Sequence, residues 1–223
     1  MNPADVIRHT VWLYFRFTLS FRDVEEMLAA RGIDVSNETI RCWTIKFGPQ
    51  IARNLRRKRP APSPRWRLDE VICNIGGKRM YLLRAVDDEG ELLDVVLQKR
   101  RNHDAPLTLL KRLLRNPPVE PEAIVTDGLA SCRSALRELD LARLHRRGRL
   151  RAKNRAENSH LLIRRREQKI QLFKSQASAQ RFLTAHGDVC NTFYTQRHLI
   201  SRTTLRTFRS VAKDVWSKAT MAA

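Results

Sequence analysis

The chain has 223 residues, with 43 Lys and Arg against 23 Asp and Glu, and therefore a formal net charge of +20. A hydrophobic content of 42% is enough to build a core and excludes a disordered tail, and no apolar run approaches the roughly 18–20 residues that cross a bilayer. The excess positive charge predicts a polyanionic partner such as nucleic acid, and the four dispersed cysteines indicate a reducing cytoplasm.

The positive charge is concentrated in two segments of the chain. Between Arg53 and Arg67 there are seven basic residues and no acid, and between Arg143 and Lys174 there are twelve basic residues and two acids. A charged run is often only a solvated face. Self-repulsion among so many like charges nevertheless favours contact with a phosphate backbone, so we expect both segments to face nucleic acid.

Residues 1–59 are predicted to form an all-α domain. An apolar-rich helix covers Val6–Phe17, and Ser20 is a typical N-cap for a second helix over Phe21–Ala30. Gly32 then provides the break that ends this helix. Two helices joined by such a short turn are typical of a helix-turn-helix unit that binds DNA, and an ordinary helical hairpin is the alternative.

The third helix of this domain is the one expected to contact base edges. Ser36 caps it, and its apolar face repeats at Ile40, Trp43 and Phe47, which leaves the opposite face polar. A basic run follows in the same segment. The DNA-binding residues predicted here are Asn37, Arg41, Thr44, Lys46, Arg56 and Arg57.

Beyond a proline-rich linker at residues 60–65, the pattern changes to that of an α/β domain over residues 66–175. Gly76 and Gly77 tolerate positive φ and predict a hairpin between the first two strands. The predicted elements are strands at Leu68–Ile75, Arg79–Val86, Leu92–Gln98 and Ala123–Thr126 and helices at Asp104–Arg115, Leu129–Leu139 and about 155–173. With one further strand before the last helix, the order β-β-β-α-β-α-β-α in a mixed sheet predicts a ribonuclease-H-like (RNase-H-like) catalytic domain, with residues 176–223 as its C-terminal helical extension.

Three acidic residues lie where local structure alone would not favour them. Asp69 is inside the first strand, Asp127 ends the buried fourth strand, and Glu157 lies in the most basic segment. If the first and fourth strands are neighbours, these carboxylates converge and would bind two Mg²⁺ or Mn²⁺ ions, an arrangement suited to phosphodiester chemistry. The alternatives are that Asp127 is a turn residue, that Glu157 offsets nearby arginines, and that Asp69 is a surface-facing strand residue. Glu70 beside it is then the alternative ligand.

Helical spacing places further polar residues beside Glu157. Asn154, His160 and Arg164 lie at i−3, i+3 and i+7 from it and form one stripe. We expect this stripe, together with Arg155, to contact DNA. A structural hydrogen bond is the alternative role for His160.

Four segments of the sequence strongly resemble one known family. They are SFRDVEEMLAARGIDVSNETIRCW, WRLDEVICNIGGKRMYLLRAVD, VTDG and NRAENSH followed by RRRE. They occur in order over nearly the whole chain and are similar to the DDE transposases of bacterial insertion sequences in the IS-six family. By motif, the resemblance implies that Asp69, Asp127 and Glu157 are the catalytic and metal-binding triad.

The resemblance also implies how such a protein acts. A helix-turn-helix domain would recognise terminal inverted repeats, and the RNase-H-like domain would carry out Mg²⁺-dependent replicative transposition through cointegrates. We expect a homodimer or larger assembly on DNA, in the cytoplasm near the nucleoid and away from membranes. The chain departs from the family at Gly128, where a lysine is usual. This departure favours a catalytically impaired DNA-binding regulator as the alternative, and a metal-dependent nuclease of the same fold is a second alternative.

Overall fold

The computed structural model describes residues 2–17, 19–115, 119–148, 173, 175–193 and 200–221. In chain order its elements are α1 (Pro3–Arg16), α2 (Phe21–Ala29), α3 (Asn37–Lys58), β1 (Arg65–Ile75), β2 (Lys78–Asp87), β3 (Leu92–Gln98), α4 (Asp104–Arg115), β4 (Ala123–Thr126), α5 (Ala130–Glu138), a 3-10 turn (Ala142–Leu144), β5 (His145–Arg147), α6 (Gln176–Phe193) and α7 (Arg202–Met221). Helices thus precede a mixed α/β domain, which confirms the predicted fold class. The helix predicted at about 155–173 lies almost entirely outside the described residues.

The N-terminal helices begin where side chains satisfy their first backbone N–H groups. Asn2 accepts a hydrogen bond from the backbone N–H of Ala4, so α1 starts at Pro3, earlier than predicted. Ser20 and Asp23 form a reciprocal capping box at 3.1 and 2.7 Å, as Ser20 was expected to cap α2. Ser36 caps α3 by accepting the backbone N–H of Thr39 at 3.3 Å, without a reciprocal bond.

The described residues divide into two compact units. The first comprises Met1–Arg59 and Thr184–Ala223, and the second comprises Pro60–Leu183. This division differs from the prediction that the whole of 176–223 extends the catalytic domain. The reason is packing: α3 contacts α7, and the α6 residues from Thr184 onward are grouped with the N-terminal helices.

Buried polar contacts hold the helices of the first unit together. The Asn54 side-chain amide donates to the Ala219 carbonyl at 2.8 Å, and His186 contacts the Phe15 carbonyl at 2.7 Å through Nδ1. Each contact pairs polar groups inside the first unit, as buried polar groups require, and thereby favours one arrangement of these helices. No helix in the described part of the chain is long and apolar enough to cross a membrane.

The second unit is built on a five-stranded sheet with the order β3-β2-β1-β4-β5. The β1/β2 and β2/β3 pairs are antiparallel, whereas β1/β4 and β4/β5 are parallel. The first and fourth strands are therefore neighbours, as predicted. Gly76 and Gly77 have φ of 59° and 75°, so they form the expected hairpin turn between β1 and β2.

Helices α4 and α5 cover one face of this sheet. Trp66, Leu68 and Leu83 of the sheet are almost fully buried in the same cluster as Leu109 of α4 and Leu136 of α5. This core fixes β1 and β4 side by side. The two strands are thus held in place by the same buried core.

The predicted linker, residues 60–65, is folded onto the second unit. Pro62 is buried, and the backbone N–H of Ser63 donates to the Asp87 carboxylate at 3.1 Å. The backbone N–H of Glu122 donates to the Pro64 carbonyl at 2.9 Å. These contacts anchor the chain just before β1.

Two glutamines of α6 bond to the backbone of the edge strand β3. Gln180 accepts from the Leu97 N–H at 2.9 Å and donates to the Val95 carbonyl at 2.8 Å. Gln176 donates to the Leu97 carbonyl at 2.7 Å. Their side chains thereby occupy backbone groups that a further strand would use.

Candidate active site

Two aspartates lie at corresponding positions of the adjacent strands β1 and β4. The parallel register pairs Leu68 with Thr126; Asp69 is the next residue of β1, and Asp127 directly follows the end of β4. Asp127 is exposed, and its carboxylate accepts the backbone N–H of Leu129 at 3.2 Å. The topology therefore brings together two of the three carboxylates predicted from the sequence.

Asp69 is held by a buried arginine that sequence reasoning missed. Arg84 lies directly opposite it in the antiparallel β1/β2 register, and Nη2 donates to Asp69 Oδ2 at 2.6 Å. The Arg84 side chain is 1% exposed and that of Asp69 is 28% exposed. A charge inside the apolar strand segment LLRAV was the available signal, because a buried charge needs a counter-charge.

Glu70, the alternative ligand, is buried and paired. Its side chain is 4% exposed, and Arg101 Nε lies 2.7 Å from its carboxylate. Burial raises the pKa of Glu70, Arg101 lowers it, and the negative charges of Asp127 and Asp69 raise it further. Burial also raises the pKa of Cys132 to about 12, with added contributions from Asp127 and Glu70. The charges of Asp69 and Asp127 therefore act on the protonation of Glu70.

The turn after β4 is fixed by side-chain hydrogen bonds. Thr126 Oγ1 contacts His145 Nε2 at 2.9 Å and accepts the Gly128 N–H at 3.2 Å. Burial lowers the pKa of His145, and the positive charges of Arg133 and Arg146 lower it further. A neutral imidazole at this point keeps the backbone around Asp127 in place.

The donor set suits a hard divalent cation but is incomplete in the described ranges. Asp69 and Asp127 offer the carboxylate oxygens that Mg²⁺ prefers. Among the residues that the structure describes, no group of three or more His, Cys, Asp or Glu side chains could hold a metal ion. Five predicted site residues lie outside those ranges, namely the third acid Glu157 and the DNA-binding candidates Asn154, Arg155, His160 and Arg164.

The predicted DNA-binding residues at the start of α3 are only partly available. Asn37 donates through its backbone N–H and its side-chain amide to the Glu25 carboxylate at 3.0 and 2.9 Å. Arg41 is exposed and donates to Glu38 at 2.9 and 2.6 Å, which raises the pKa of Arg41. Thr44 is buried, and its hydroxyl donates to the Arg41 carbonyl at 2.8 Å. This burial is at odds with a base contact by Thr44, because the residue lies on the inner side of α3.

The predicted DNA-binding residues further along α3 fall into two groups. Lys46 and Arg57 are exposed, and the Lys46 ammonium lies 5.1 Å from the Phe47 ring centroid. Arg56 instead makes a two-point ion pair at 3.1 and 2.9 Å with Asp188, whose side chain is 2% exposed. Arg56 is therefore a packing residue of the first unit, a role that helical spacing alone could not reveal.

The sheet order defines an RNase-H-like α/β domain with an acidic site where β4 ends beside the middle of β1. Residues 63–196 match the family model described as a DDE domain. This match covers more than half of the chain, and the chain belongs to the DDE-domain family of insertion-sequence transposases. The resemblance found in the sequence is thereby confirmed.

The chain is similar to several curated transposases. The transposase for insertion sequence-like element IS431mec of Staphylococcus aureus (strain Mu50 / ATCC 700699) is 36% identical over 132 residues, which is 59% of this chain and 58% of that protein. The transposase for insertion sequence element IS257 in transposon Tn4003 of Staphylococcus aureus is 35% identical over the same shares. The match thus spans somewhat more than half the length of these relatives.

Among solved structures, the chain is similar to a chain in a cryo-EM structure of the simian T-cell lymphotropic virus intasome in complex with PP2A regulatory subunit B56 gamma. The TM-score is 0.40 and the sequence identity is 16%, with coverage of 56% of this chain and 48% of that chain.

Proposed function

We propose that the chain is a transposase that binds the terminal inverted repeats of an insertion sequence and carries out metal-dependent DNA cleavage and strand transfer. The reaction would be replicative and cointegrate-forming. The observation that carries this proposal is the adjacent position of Asp69 and Asp127 on parallel strands in a chain of the DDE-domain family.

Asp69, Asp127 and Glu157 would hold two Mg²⁺ ions, for which Mn²⁺ can substitute. When bound, such ions stabilise negative charge on both sides of a scissile phosphodiester. Arg84 contributes by fixing the Asp69 carboxylate at 2.6 Å, so that its orientation does not depend on DNA. Arg101 neutralises the negative charge of Glu70, the neighbour of Asp69 in β1.

The N-terminal helices would bind the element ends. Arg41, Lys46 and Arg57 are exposed on α3 and suit contacts to DNA phosphates, with Asn37 at the start of the helix closer to the bases. The Arg41–Glu38 ion pair is exposed on both sides, and such surface pairs contribute little stability. Arg41 can therefore exchange this carboxylate for a phosphate at small cost.

Two element ends have to be held for one joining reaction, so the protein would act as a homodimer or larger assembly on DNA. A symmetric dimer is the simplest way for one chain to hold two equivalent ends. The test is size-exclusion chromatography with light scattering on the protein with and without an end fragment. A complex that contains a single protomer and a single end fragment would contradict the assembly.

The reaction is tested by incubating the purified protein with Mg²⁺, a labelled end fragment and a target plasmid. Joined products indicate a transposase, nicks alone a nuclease, and binding alone a DNA-binding regulator. Asp127→Ala should abolish cleavage and joining while still shifting the end fragment in a gel. Glu89→Ala, which removes an exposed carboxylate of the β2–β3 turn, is the matched control and should remain active. An active Asp127→Ala protein would overturn the assignment of the site.

A further inference from the structure

An arginine of β5 lies against the glycine that follows Asp127. The parallel β4/β5 register pairs Thr126 with Arg147, and Gly128 has φ of 91°. A Cβ added to Gly128 would lie 3.0 Å from Arg147 Nε, 3.5 Å from Nη2 and 3.6 Å from Cζ. The guanidinium therefore occupies the space that a side chain at position 128 would need.

Among the described residues, no acidic side chain neutralises the charge of this guanidinium by direct contact. Arg147 is exposed and makes no side-chain hydrogen bond or ion pair with any residue that the structure describes. The two other arginines of the site differ in this respect, because Arg84 is bound to Asp69 and Arg101 to Glu70. Within the described residues, Arg147 is thus a cation without an ion-pair partner that lies against Gly128, the residue after the exposed Asp127.

We propose that Arg147 binds a DNA phosphate next to Asp127 and that Gly128 provides the room for this contact. The inference rests on the proposed function, in which DNA is the substrate at Asp127. A guanidinium suits this role, because it donates two parallel hydrogen bonds to phosphate oxygens and keeps its charge at any physiological pH. The missing side chain at Gly128 leaves the space in which the guanidinium lies.

The neighbouring Arg146 provides a matched control on the same strand. It is also exposed, but alternation along a strand directs its side chain to the opposite face. Its Nη1 donates to the Arg143 carbonyl at 2.7 Å and to the His145 carbonyl at 3.0 Å. Its guanidinium is therefore occupied by the protein itself.

The test measures how the affinity for a labelled DNA duplex depends on salt concentration, using the full chain and the variants Arg147→Gln, Arg147→Lys and Arg146→Gln. Each phosphate contact contributes about 0.9 to the slope of log K against log salt. Arg147→Gln should make the negative slope shallower by about 0.9. If both proteins bind equally at 1 M salt, this change corresponds to about eightfold weaker binding by the variant at 0.1 M salt. Arg147→Lys and Arg146→Gln should keep the wild-type slope.

A second readout is the Mg²⁺-dependent cleavage of the labelled end fragment. Arg147→Gln should raise KM, and Arg147→Lys should restore part of the loss, because lysine retains the charge but cannot donate two parallel hydrogen bonds. An Arg147→Gln protein that matches Arg146→Gln in both slope and KM would overturn the inference. If the wild-type protein itself neither cleaves nor joins DNA, the proposed function fails, and the salt slope still decides whether Arg147 contacts phosphate.

Discussion

Replacing Asp69 with alanine should destabilise the sheet domain as well as abolish the chemistry. The substitution removes the carboxylate that lies 2.6 Å from an arginine whose side chain is 1% exposed. Breaking a buried ion pair from one side costs about 3–5 kcal/mol, because the remaining charge is left in a poorly solvated position. Since Asp69 is itself 28% exposed, water can partly replace it, and we expect the low end, about 3 kcal/mol.

Urea denaturation followed by circular dichroism measures this loss of unfolding free energy. Asp69→Asn keeps an oxygen that can accept from Arg84, so it should lose only about 1 kcal/mol while remaining inactive. Asp127→Ala is the control at the other site aspartate, which is exposed, and should also lose about 1 kcal/mol or less. An Asp69→Ala protein as stable as Asp127→Ala would refute the argument that Arg84 depends on Asp69.

Three further predictions concern other parts of the molecule. Arg56→Ala should lose about 2–3 kcal/mol of unfolding free energy in urea, because it removes the bidentate ion pair of the buried Asp188 carboxylate. The control Arg57→Ala, at an exposed position, should change stability by about 0.5 kcal/mol or less. Cys132, with a pKa of about 12, has a thiolate fraction on the order of 10⁻⁴ at pH 8, so peptide mass spectrometry should find it alkylated only after denaturation. The NMR titration of His145 should give a pKa below the ordinary value of 6.5. Because the pKa is lowered in the folded state, the contribution of His145 to stability is present above pH 6.5 and is lost as the pH falls through the folded-state pKa.

The order of strands and helices could be predicted because each element carries a local signal. Ser20 and Ser36 are capping residues, and Gly76 and Gly77 are a hairpin pair with positive φ. Period-two and period-3.6 hydrophobic patterns then separate strands from helices. The pairing of β1 with β4, which brings Asp69 near Asp127, could also be predicted, because a β-β-β-α-β order leaves few ways to complete the sheet.

Contacts between distant parts of the chain could not be predicted in the same way. The partner of Arg56 is 132 positions away, and no helical spacing indicates that pairing. The sequence pattern predicts that Thr44, as a polar residue, lies on the outer face of α3. It is buried instead, because its hydroxyl donates to the Arg41 carbonyl within the same helix. An amphipathic pattern shows that α7 buries one face and does not show which helices it buries that face against.

The two glutamines that bind β3 have a consequence for the solubility of shorter fragments. Strand β3 is at the edge of the sheet, and an unprotected edge is a template for pairing with another chain. Gln176 and Gln180 occupy backbone groups of Val95 and Leu97 and thus block such pairing. A catalytic fragment that ends at residue 175 would lose both side chains and should aggregate, whereas one that retains the first two turns of α6 should stay dispersed.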